Sequence, residues 1–124
     1  MRWEKEAERL LRRLGANGSY KGFWFTVYGI ARTVQEPELL TYMCKGLYVT
    51  VAHHFNVSLQ SAERNIRTLK LRLWRSGNRR LMKEIFGKIE KEQCPKNAVF
   101  IDGLAAYLRE CCLREEAAED GAVN

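Results

Sequence analysis

A chain of 124 residues, 46% hydrophobic, fills one domain with one modest core and leaves no room for a second. Its formal charge of +6 and pI near 9.3 draw it toward a polyanion, and nucleic acid is the default polyanion for a small basic domain. No run approaches the roughly 18 apolar residues of a membrane span, and the opening MRWEKEAERLLRR lacks the apolar segment of a signal peptide, so the expected location is the cytoplasm.

Helical periodicity runs through almost the whole chain. Trp3, Ala7, Leu10, Leu11 and Leu14 line one face of a first helix that stops at Gly15, with Asn17, Gly18 and Ser19 as the linker. The carboxylates Glu4, Glu6 and Glu8 belong to the solvated side of that helix. A second helix is expected over about 21–34. Phe23, Trp24, Phe25, Val27, Tyr28, Ile30 and Ala31 make it nearly all apolar, which puts it at the centre of the core. Aromatic clusters also stack bases in single-strand binders, but helical spacing explains these rings as packing. Pro37 breaks the chain near the start of another helix through Leu39, Leu40 and Met43, continuous with or kinked into one beginning at Lys45.

The next stretch carries the most information. KGLYVTVAHH (45–54) offers Leu47, Val51 and Ala52 as the packing side of a short helix, and Phe55-Asn56 makes a tight link, asparagine tolerating a left-handed backbone. Ser58 is placed as the N-cap of the following helix, with Val57 and Ala62 spaced like a hydrophobic staple. At about 100° per residue, Leu59, Ala62, Ile66, Leu69 and Leu73 form one core stripe. The opposite face holds Gln60, Ser61, Arg64, Thr68 and Leu71, flanked by Arg67 and Arg72. Two helices joined by about three residues, the second opening in small polar groups, are a helix-turn-helix candidate, and such a unit puts the start of its second helix into the DNA major groove. From Ser58 to Lys83 the bases Arg64, Arg67, Lys70, Arg72, Arg75, Arg79, Arg80 and Lys83 face a single acid, Glu63. A neutral helical scaffold needs no such imbalance.

Beyond it, Ser76, Gly77 and Asn78 form a C-cap and turn, a short helix covers about 79–86 and ends at Gly87, and the polar residues 88–97 form a loop. A last amphipathic helix from about Ala98 buries Phe100, Ile101, Leu104, Ala105 and Leu108. No sustained alternation argues for a sheet, so the fold class is all-α. The domain is expected over 1–113, followed by an acidic flexible tail over 114–124.

Catalytic and metal chemistry find little support. Cys44, Cys94, Cys111 and Cys112 form no CxxC pair, and reduced, buried thiols are the expectation. His53 and His54 point about 100° apart on a helix and cannot serve one metal or one base together; they are expected near the phosphate backbone or at the helix end. No HExxH, nucleophile elbow or glycine-rich phosphate loop occurs. No cofactor, no metal and no enzymatic activity are expected.

From about Ala7 to Glu110 the chain resembles the DNA-binding C-terminal effector domain of the stage-zero sporulation master response regulator of endospore-forming bacteria. The matching segments, in order, are YKGFWF (20–25), KGLYVTVAHHFN (45–56), SAERNIR (61–67), LWRSGN (73–78), IFG (85–87) and PKNAVFIDGLAAYLRE (95–110). The resemblance implies six helices, binding to a short DNA box as tandem head-to-tail copies, and contact with an RNA polymerase sigma factor. Position by position, Glu63 and Arg64 coincide with the family's base-contacting Glu-Arg pair, and Arg67 with an arginine of the same helix. Ser61 departs from it. The family usually has a base-reading arginine there, and serine cannot fork onto guanine O6 and N7, so one position of the box is altered or relaxed. The family's regulator also carries an N-terminal phosphoacceptor receiver, which these residues do not encode. A free-standing effector domain is expected, unless a receiver has been cut away.

The expected function is site-specific binding of double-stranded DNA in transcription regulation, by a monomer that pairs on tandem sites. Ser61, Glu63 and Arg64 face bases. Ser58, Gln60, Arg67, Thr68 and Arg72, at the helix start or flanking the reading face, take phosphates. The competing class is an interaction module that modulates a full-length regulator or RNA polymerase without reading DNA itself.

Overall fold

The computed structural model describes residues 2–90 and 93–123. Among them are six α-helices and no strand: α1 Arg2–Leu14, α2 Phe23–Gln35, α3 Leu47–Phe55, α4 Leu59–Ser76, α5 Arg79–Phe86 and α6 Asn97–Val123. A short 3₁₀ turn, Pro37–Leu40, follows α2.

The apolar character of α2 places it between its neighbours. Phe23, Val27, Ile30 and Ala31 are buried among α1, α3, α4 and α6. Full burial of a side chain such as Phe23, Val27 or Ile30 contributes about 1.5–3 kcal/mol relative to exposure. Its polar ends are tied down as well. Thr26 Oγ1 donates to Gly22 O at 2.8 Å, and from α6 the Arg109 guanidinium donates to the carbonyls of Thr33 and Val34, both at 3.3 Å. Those carbonyls belong to the last turn of α2, where the helix itself supplies no donors.

Glycines mark the closest crossings. A Cβ on Gly22 would lie 2.1 Å from Asn65 O, so the start of α2 runs against the bare backbone of α4. A Cβ on Gly103 would meet the Phe86 ring at 2.4 Å, where α6 passes α5. Phe86 in turn stacks on Phe100 and meets Trp74 edge-on, and Trp74 Nε1 donates to Glu90 O at 2.9 Å. The end of α4 is thereby fixed against the last two helices.

Several expectations are corrected. The helix expected from Pro37 through Met43 is only the 3₁₀ turn Pro37–Leu40: after it the chain folds back, Gly46 N–H donates to Tyr42 O at 2.7 Å, and α3 starts at Leu47 rather than Lys45. Gly46 permits this, since a Cβ there would sit 2.3 Å from Leu39 O. Leu59 is 40% exposed and lies outside the core stripe, being the first residue of α4. Cys44 is exposed rather than buried. Residues 114–119 continue α6 as exposed helix, and the Arg114 guanidinium pairs with Glu110 one turn back at 2.6 Å. The loop expected over 88–97 is seen at its ends, but Lys91 and Glu92 lie outside the described residues.

Candidate nucleic-acid interface

The turn between α3 and α4 follows from three residues. Asn56 takes the left-handed backbone, φ 55° and ψ 52°, and closes α3. Val57 N–H returns to Ala52 O at 3.0 Å. Ser58 is extended, and its Oγ accepts the Ser61 N–H at 3.0 Å, capping α4. Because Ala62, Ile66, Leu69 and Leu73 are buried, the helix is locked in rotation and presents Gln60, Arg64, Thr68 and Arg75 outward.

Arg64 is exposed and makes no ion pair or side-chain hydrogen bond among the described residues, so its five donors are available. Its carbonyl accepts the Thr68 hydroxyl at 2.9 Å. Ser61 is half-buried. Its hydroxyl accepts the Asn65 amide at 3.2 Å, and its carbonyl takes the same amide at 2.8 Å. Glu63 lies on the flank toward α6 rather than beside Arg64, and its carboxylate pairs with Arg67 one turn on. The three residues expected to read bases therefore occupy different surroundings. One is free, one is bonded to a neighbour and one is half-buried in an ion pair.

The residues expected to take phosphates border this face. Ser58 and Gln60 sit at the exposed helix start, and Arg67 and Thr68 a turn or two further along. Arg72 is held by a partner the sequence reading did not find. Its guanidinium lies 4.2 Å from the centre of the Tyr20 ring, in a cation–π stack that directs a long, mobile side chain. Tyr20 comes from the segment before α2, so no spacing within α4 could have indicated it.

A second omission is Lys70. It counts among the basic residues of the segment, yet it is only 6% exposed. Burial is the main cause that lowers its pKa, with the nearby Arg67 charge adding to the effect. Its position one helical turn after Ile66, on the inward arc, was the available signal.

His53 and His54 end α3, both exposed. His54 stacks flat on Tyr28, the ring centres 3.9 Å apart, and borders a groove with Glu4, Glu8 and Trp24 instead of the surface of α4. No group of three side chains able to hold a metal is found among the described residues. No described helix is long and apolar enough to cross a membrane.

A capped helix-turn-helix with an outward arginine face is thus in place, framed by four further helices. Residues 7–108 match the family model described as the sporulation initiation factor Spo0A C terminal.

Proposed function

The chain belongs to the sporulation initiation factor Spo0A C-terminal family, and from that premise we propose that it binds a short duplex DNA box site-specifically and regulates transcription at it. Membership makes it a DNA-binding effector domain of the sporulation-regulator type. The finer reading rests on one observation: Arg64 stands free on the outward face of α4, two turns from a capped helix start. In the major groove such a guanidinium forks onto guanine O6 and N7 while the helix start abuts the backbone.

Arg64 is the principal base reader in this proposal, Glu63 a second, and Ser61 a relaxed position. Glu63 reaches a base only if Arg67 shifts to a phosphate, which breaks a partly exposed pair of small net worth. Ser58, Gln60, Arg67, Thr68 and Arg72 take the backbone. The protein acts as a monomer that pairs on tandem boxes in the cytoplasm, with an RNA polymerase sigma factor as its protein partner.

Selection of bound sequences from a random duplex pool tests this. Recovery of one short box, bound more tightly than its scrambled version by pure protein, is the expected result. Recovery of no preferred sequence overturns the reading.

A further inference from the structure

A cleft of about 330 Å³ opens beside the reading face, between the flank of α4 and the starts of α3 and α6. Arg67, Lys70 and Lys96 bring three cations to it, against one carboxylate, Glu63, which is already paired with Arg67. Lys70 is 6% exposed and has no acceptor among the described residues. Burial of its stem disfavours the charged ammonium that opens on the cleft, and an anion held there would offset that cost.

The floor of the cleft is built for the same ligand. Asn97 and Ala98 line it and begin α6, a helix of 27 residues whose first N–H groups have no partner within the helix. Asn97 is itself 7% exposed. Its amide nitrogen donates to Tyr48 Oη at 2.9 Å and to Glu63 O at 3.4 Å, which ties the start of α6 to α3 and α4, and its Oδ1 has no donor among the described residues.

The geometry points to a phosphate-binding site formed by Lys70, Lys96, Arg67 and the first turn of α6. Its ligand is an anion of the phosphate class, from one of two sources: a phosphodiester of the duplex lying along α4, or free inorganic phosphate. Only the first source rests on the duplex-binding reading above. It would place a backbone contact on the α6 side of the reading helix, across from Arg72.

The test follows the backbone amide signals of Asn97 and Ala98 by two-dimensional NMR of the full chain. Inorganic phosphate replaces chloride at constant ionic strength in one titration, and the selected duplex is added in another. At least one ligand should shift both signals, and Lys70→Met should remove that shift. If Lys70→Met does not fold, Lys96→Ala, at an exposed position, carries the same expectation of a weakened response. Failure of both ligands to move these amides overturns the site, as does an undiminished response in the folded variants.

For a backbone phosphate, Lys70→Met also weakens selected and scrambled duplexes alike and lowers the log–log salt slope by about 0.9. For free phosphate, duplex affinity and slope stay unchanged. Phosphate-induced shifts in a protein that binds no duplex keep the site and refute the DNA reading, so the two fail separately.

Discussion

Gly22 and Asn65 meet where α2 crosses the reading helix, and the space between them admits no side chain: a Cβ on Gly22 would stand 2.1 Å from the Asn65 carbonyl oxygen. The same Asn65 uses its side chain to bond Ser61 on the interface. The contact that seats α4 on the core therefore lies one helical turn from the residues proposed to face DNA.

Gly22→Ala forces these two backbones apart. Overpacking at a rigid backbone contact costs about 1–3 kcal/mol, sometimes more. Chemical denaturation should show a lower midpoint with an unchanged slope, and Gly22→Ser should be at least as harmful. Wild-type stability in Gly22→Ala would mean that α2 and α4 slide freely at this crossing.

Arg64→Ala should leave the fold intact, since the side chain is exposed and unpaired. A lost bidentate base contact removes about 1–3 kcal/mol of discrimination, whereas a lost phosphate contact weakens all sequences alike. Competition between selected and scrambled duplexes should show the preference collapsing. Ser61→Arg should move preference at a neighbouring base toward the family's box. An equal loss on both duplexes would make Arg64 a backbone clamp.

Salt should weaken binding steeply, by about 0.9 in log–log slope per phosphate neutralised. Arg72→Ala should lower the slope without changing site preference. Tyr20→Leu should act in the same direction by freeing the Arg72 guanidinium from its stack. Titrations of duplex binding at several salt concentrations distinguish this from a flat dependence, which would remove Arg72 from the contact set.

Light scattering of the free protein should give the mass of one chain, pairing occurring on tandem sites. A dimer that persists to denaturation would favour the interaction-module reading.

Tyr107 reports on the packing of α5 against α6. Its hydroxyl donates to Glu84 at 2.7 Å, and that bond, with burial second, pushes its pKa up to about 12 from an ordinary value of 10.0. The folded state therefore holds this proton more tightly than the unfolded chain does. The associated stability is present below pH 10 and is lost as the pH rises through the folded-state value. Ultraviolet titration of phenolate formation should reveal a late tyrosine, and Glu84→Ala should bring it down. An unchanged titration in that variant would mean the hydrogen bond does not form in solution.

The sequence alone determined the helices whose apolar spacing is strong and whose ends carry capping chemistry. Gly15, Asn56, Ser58 and Asn78 end or begin helices where their local backbone preferences place them. It also determined the outward face of α4, because Ala62, Ile66, Leu69 and Leu73 leave only one rotation for that helix. Such features are local, decided within a turn or two of chain. The backward fold of residues 41–46, the exposure of Leu59, the Tyr20 stack on Arg72 and the cleft around Lys70 were decided only by tertiary structure. Each depends on which distant element lies alongside: Leu39 behind Gly46, the segment before α2 beside Arg72, the start of α6 beside Lys70. Periodicity states which way a side chain points from its own helix, and only the packed fold states what it meets there.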